Sequence, residues 1–267
     1  MYIKVNIYIE FNQIISYNKY GENMKKKYYN KNIVNFLVTT ILLIIICICI
    51  SKIYFWFNDN NKNKKILKNI KEDINTNNDN NTVDSINLNE LLKQNKDTVG
   101  WIKINNSVID YPIVKYTDNS YYLTHSFDNS KNSAGWIFMD YRNNITDNNI
   151  VIYGHNRKDK SMFGSLKNIL KKENYENSEN KKIYFTTING KAEYEIYSAF
   201  VINDEDIENY VKLNFKNDEE FNKFIKSTIN SSYIKTNTNT DYIKNIITLY
   251  TCHGNGKKLL VFAYKKE

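Results

Sequence analysis

Ile246-Ile247-Thr248-Leu249-Tyr250-Thr251-Cys252-His253, running through Gly254-Asn255-Gly256 into Lys257-Lys258-Leu259-Leu260-Val261-Phe262-Ala263-Tyr264, reads as two β-strands joined by a Gly-containing turn. Cys252 stands at the end of the first strand. The other two cysteines, Cys47 and Cys49, fall in an apolar stretch near the N-terminus.

Working back from this hairpin, short apolar runs predict further strands at 99–104, 108–114, 135–139, 149–153, 181–187 and 192–201, with the hairpin strands at 244–251 and 258–264. Leu88, Leu91 and Leu92 form a short helical face. Phe221, Phe224, Ile225 and Ile229 repeat at the helical period and predict a helix over 218–229. Many short strands and few helices argue for a mainly β fold, a closed or nearly closed barrel.

The chain carries a net charge of +8, which at first suggests nucleic acid or an anionic surface. Residues 1–57 hold +5 of it, leaving +3 spread over everything after, so a nucleic-acid role loses its main support. Ile33 to Ile50 is 18 residues without a charge, followed by the aromatic group Tyr54-Phe55-Trp56-Phe57. That length and those flanks predict a transmembrane helix, an anchor over 32–57. A cleaved signal peptide is the rival reading; the apolar run is longer than such peptides use and no small-residue cleavage site follows.

Residues 1–31 form an N-terminal segment expected in the cytoplasm, on the strength of the Lys cluster before the span, and Met24 before Lys25-Lys26-Lys27 looks like an alternative beginning. Residues 58–86, rich in Asn, Lys and Asp, read as a polar stalk with a fraying helix around Ile66, Leu67, Ile70 and Ile74. The folded domain is expected over 87–267, outside the cell.

An exported domain with one cysteine makes no internal disulfide, so Cys252 is either a small buried hydrophobe or a nucleophile. A nucleophile needs a partner that takes its proton, usually His. His155, in Val151-Ile152-Tyr153-Gly154-His155-Asn156, follows a strand and is the favoured partner. His253 is adjacent to Cys252, and neighbours on an extended chain point to opposite sides. His125 reads as a packing or surface residue. No metal cluster, phosphate-binding loop or cofactor motif is found in the sequence.

Thr248-Leu249-Tyr250-Thr251-Cys252 resembles the Thr-Leu-x-Thr-Cys signature of sortases, and Tyr153-Gly154-His155-Asn156 with Ser161-Met162-Phe163-Gly164 is similar to the histidine segment of class B. Ile109–Val114, Asp118–Leu123 and Gly135–Asn143 resemble that class in order and spacing. The resemblance implies an eight-stranded sortase β-barrel with peripheral helices, anchored in a Gram-positive membrane and facing the cell wall. It implies a cysteine transpeptidase that cleaves the C-terminal sorting motif of a secreted protein after Thr through a thioacyl intermediate. The acceptor would be an amine of the peptidoglycan precursor or a pilin. Cys252 would be the nucleophile and His155 the proton-transfer group.

One position departs from the class pattern. Where class B carries an Arg after the cysteine, this chain has Lys258, and its only arginines are Arg142 and Arg157. Either Lys258 takes the role, or Arg157 reaches the site, or the protein is a degenerate, non-catalytic binding protein. By motif position Asn119, Leu123 and Tyr153 match groove-lining residues, and Thr251 sits beside the nucleophile; packing within the barrel is the alternative for all four. A secreted cysteine hydrolase would share Cys252 and His155 but release acids.

Overall fold

The computed structural model describes residues 31–76, 86–236, 238 and 243–266. Most of the segment expected in the cytoplasm, with Met24, and residues 77–85 of the expected stalk lie outside the described residues. The elements are helix α1 (Lys31–Thr76), α2 (Leu88–Gln94), β1 (Thr98–Ile104), β2 (Asp110–Val114), β3 (Phe138–Met139) and β4 (Asn149–Tyr153). Then follow the one-turn helix α3 (Lys172–Tyr175), β5 (Lys182–Thr187), β6 (Gly190–Asn203), α4 (Asp218–Asn230), β7 (Ile246–Gly254) and β8 (Lys257–Lys265).

The eight strands close into a barrel in the order β1-β2-β3-β4-β7-β8-β6-β5. Neighbours are antiparallel except β2 with β3 and β4 with β7, which run parallel. A parallel pair needs a long crossover. Here β5, β6 and α4 occupy the chain between β4 and β7. The first four residues of both strands are buried, which is why each reads as a continuous apolar run rather than an alternating one.

Side chains such as Ile102, Ile113, Phe138, Ile152, Ile183, Leu249 and Val261 fill one core cluster. A second cluster sits under α4, where Phe221, Phe224 and Ile225 meet Phe200, Leu260 and Phe262. Asn217 caps α4, its side chain accepting from the Glu220 amide at 2.9 Å, so the start falls where the acidic first turn suits the helix dipole. The strand expected over 135–139 shrinks to Phe138–Met139, because Gly135 turns the backbone at φ +58°.

From Lys31 to Ile53 α1 is apolar and exposed, including Phe36, Leu43, Ile50 and Ile53, and this helix is long and apolar enough to cross a membrane. From Tyr54 onward it belongs to the same compact unit as the barrel. Residues 58–76, part of the polar stretch expected to hold a fraying helix around Ile66, Leu67, Ile70 and Ile74, are regular helix throughout, with Ile70 and Ile74 buried in the barrel's core cluster and Ile66 and Leu67 half-buried against it. Lys71 adds an ion pair to Asp110 at 2.6 Å. Composition registers the polar majority of this stretch, but its one apolar stripe at helical spacing decides, since each fully buried Ile contributes about 1.5–3 kcal/mol.

Candidate active site

The parallel pairing of β4 and β7 sets up the site. Tyr153 lies beside Tyr250, their rings edge to face at 5.0 Å, and the Gly154 amide donates to the Tyr250 carbonyl at 3.2 Å. Two residues beyond this pair in each strand direction come His155 and Cys252. The same pairing offset therefore sends both out at one end of the barrel.

Cys252 is exposed, which disposes of the reading as a small buried hydrophobe. Its strand turns into β8 through Asn255 and Gly256, both at positive φ, as a two-residue hairpin loop demands. His253 is the extra residue of a bulge between Cys252 and Gly254, and bulges next to a site re-aim the side chains around them. The register that results puts Cys252 opposite Lys258.

Lys258 Nζ stands 3.5 Å from Cys252 Sγ and 3.4 Å from a carboxylate oxygen of Asp204, and 5.7 Å from the centre of the Tyr250 ring. Burial draws the ammonium down, but Tyr250, Cys252 and Asp204 more than offset that and hold its pKa above the ordinary value. It is therefore a fixed positive charge beside the sulfur. Asp204 has no signal in the sequence; it reaches Lys258 only because β6 pairs with β8 up to Asn203–Lys257.

His155 has its Nε2 at 2.9 Å from the Leu123 carbonyl. A carbonyl only accepts, so Nε2 donates and carries the proton in this arrangement. Nδ1 is then the second proton site of the ring. Gly135 packs against the same imidazole; a Cβ there would come within 2.9 Å of His155 Cδ2. His125 stacks on Tyr121 at 4.0 Å and bonds the Tyr121 carbonyl.

The four expected groove residues separate. The Leu123 side chain is exposed, and its carbonyl holds His155. Asn119 and Tyr153 both bond the buried carboxylate of Asp140, at 3.0 and 2.8 Å, and Arg142 meets the same carboxylate through two nitrogens. Their polar ends thus form a structural network, while the half-buried Tyr153 ring stacks on Phe138. Burial pushes the Tyr153 phenol up, with Asp140 adding to it. Thr251 is 2% exposed, and its hydroxyl is buried without a hydrogen-bond partner. Along the strand it points to the opposite side from Cys252.

Arg157 does not turn toward Cys252 through any bond it makes. Its guanidinium donates to Asn60 Oδ1, approaches the Ser133 carbonyl, and lies over the Trp56 ring at 5.4 Å. Among the described residues no group of three or more His, Cys, Asp or Glu side chains gathers to hold a metal.

The sortase domain family matches residues 102–266. Sortase B of Staphylococcus aureus is 35% identical over 164 residues, and sortase B of Listeria monocytogenes 37% identical over 167, covering 61% and 62% of this chain. The chain spans 66% of the length of each of these two relatives, just under two thirds. A Staphylococcus aureus sortase B–substrate complex superposes with a TM-score of 0.67 at 28% identity, over 79% of this chain and 97% of that one. A match that runs from β1 to the end of β8, over a closed barrel of the same build, establishes that this chain belongs to the sortase family, among relatives of class B.

Proposed function

We propose that the chain is a membrane-anchored cysteine transpeptidase that cuts a sorting motif of a secreted protein and transfers it to an amine. The observation that carries the reading is the ammonium of Lys258 at 3.5 Å from the exposed sulfur of Cys252. In this scheme the Cys252 thiolate attacks the carbonyl carbon of the motif's Thr, and the carbonyl's electron pair moves onto oxygen beside Lys258. As the oxyanion collapses the C–N bond breaks and His155 gives its proton to the departing amine, leaving a thioester on Cys252. An acceptor amine, of peptidoglycan precursor or pilin, then attacks that thioester. Its proton passes to His155, the C–S bond breaks, and the thiolate returns.

Lys258 supplies the positive charge that class B places on an Arg, without the planar fork of donors. Leu123 and Tyr153 would border the bound motif, with Asn119 holding the loop between them and Asp140. Residues 32–57 would cross the membrane, with residues 1–31 inside and the barrel, 87–267, facing the wall; the helical part of 58–86 then belongs with the barrel as much as with the anchor.

The test is the full chain in detergent, incubated with a panel of sorting peptides, with and without an amine acceptor, and analysed by mass spectrometry beside Cys252→Ala. Cleavage after Thr with amine-dependent ligation supports the transpeptidase. Cleavage to the free acid regardless of amine would make it a hydrolase, and no thioester on any peptide would leave a binding protein. Extraction of the chain from bacterial membranes by alkaline carbonate would overturn the anchor.

A further inference from the structure

α1 presents Trp56, Asp59, Asn60 and Asn63 at the 3–4 residue spacing of one helical face, and this face lies on the loops around His155. Asn60 and Asn63 are each only 4% exposed, which a solvated stalk would not produce. Asn63 donates to the Gly135 carbonyl at 2.9 Å and accepts from Ser126 Oγ and Asn132 Nδ2. Gly135 is the residue that packs on the His155 ring. From the other side, Arg157, two residues after His155, is held by Asn60 and covered by Trp56. Between them Asp59 accepts from both the amide and the hydroxyl of Ser133.

The Gly135 loop that packs on His155 and Arg157 on the chain just after it therefore both hang on the same helical turns. We propose that the 56–63 face of α1 is a clamp that positions His155 for proton transfer, so that the membrane-proximal helix is a working part of the catalytic unit. Asn63 and Arg157 are positioning residues: neither touches the reacting atoms, and each fixes one side of the imidazole's surroundings. The inference rests on the reading of His155 as the proton-transfer group. Its chemical logic is that a buried amide such as Asn63, with donor and acceptor both satisfied, allows one loop geometry, and small displacements of a catalytic group are costly to rate.

The experiment uses the full chain in detergent with Asn63→Ala and, separately, Arg157→Ala, measuring amide hydrogen exchange by mass spectrometry together with kcat, KM and Tm. Each variant is expected to speed exchange in peptides covering 132–136 and 154–163 by about tenfold, leaving β5 and β6 unchanged. kcat is expected to fall about tenfold with KM within about twofold of the parent. Wild-type exchange around His155 in both variants overturns the clamp, as does a lower Tm with kcat intact. If the parent chain turns over no peptide the transpeptidase reading falls by itself, and the exchange measurement alone decides for or against the clamp.

Discussion

Cys252 and Lys258 are cross-strand partners on the β7–β8 hairpin, with Nζ 3.5 Å from Sγ. Because this contact is made by register, it survives only while the bulge at His253 keeps the pairing. Lys258→Ala is expected to lower kcat by about 10²–10³, the usual effect of losing one oxyanion donor. Lys258→Arg should keep or raise turnover. An Ala variant with parental turnover would remove Lys258 from the mechanism.

Gly135→Ala tests the His155 cradle from within the barrel loops. At φ +58° a Cβ would meet the Tyr122 carbonyl at 2.5 Å, the Leu123 carbonyl at 2.8 Å and His155 Cδ2 at 2.9 Å. Two of these neighbours are backbone, so the loop must move. The expected result is a loss of about 1–3 kcal/mol in stability by denaturant titration. Turnover should drop by more than tenfold, because His155 is displaced.

Asp140 gives the protein an acid-sensitive joint. Burial pushes its carboxyl up, but bonds from Arg142 and from the Tyr153 hydroxyl more than offset this, and it titrates below the ordinary value. A depressed carboxylate contributes stability that is complete above its unfolded pKa, near 4, and is lost as the pH falls through the folded value. Denaturant midpoints measured from pH 6 down to pH 2 should therefore fall below about pH 4 in the parent, with that component absent in Asp140→Asn. At neutral pH, Asp140→Ala is expected to cost about 3 kcal/mol, since it strands the donors of Asn119, Tyr153 and Arg142.

Thr251→Val replaces a buried hydroxyl that bonds nothing by a methyl of the same shape. Stability is expected to stay within about 0.5 kcal/mol or rise, and peptide turnover to stay at the parental level. A loss of turnover at unchanged Tm would favour the substrate-groove role of Thr251 over packing within the barrel.

The sequence by itself determined the local elements and the chemistry they carry. Continuous apolar runs marked strands such as β4 and β7, whose side chains are buried on both faces, and the helical period of Phe221, Phe224 and Ile225 marked α4. The order of motifs around His155 and Cys252 was legible because each is a contiguous run of residues. Tertiary structure alone decided which groups meet. Asp204 reaches Lys258 through the pairing of β6 with β8, and Arg157 turns to Asn60, 97 positions away. Asn119 and Tyr153 converge on Asp140, so that three separate stretches of chain meet there. The apolar spacing within 58–76 marked a helix, but its polar composition concealed that the helix docks on the barrel, for the same reason. Composition averages over all faces of a helix, whereas packing depends on the one face that finds a partner, and that partner lies far along the chain.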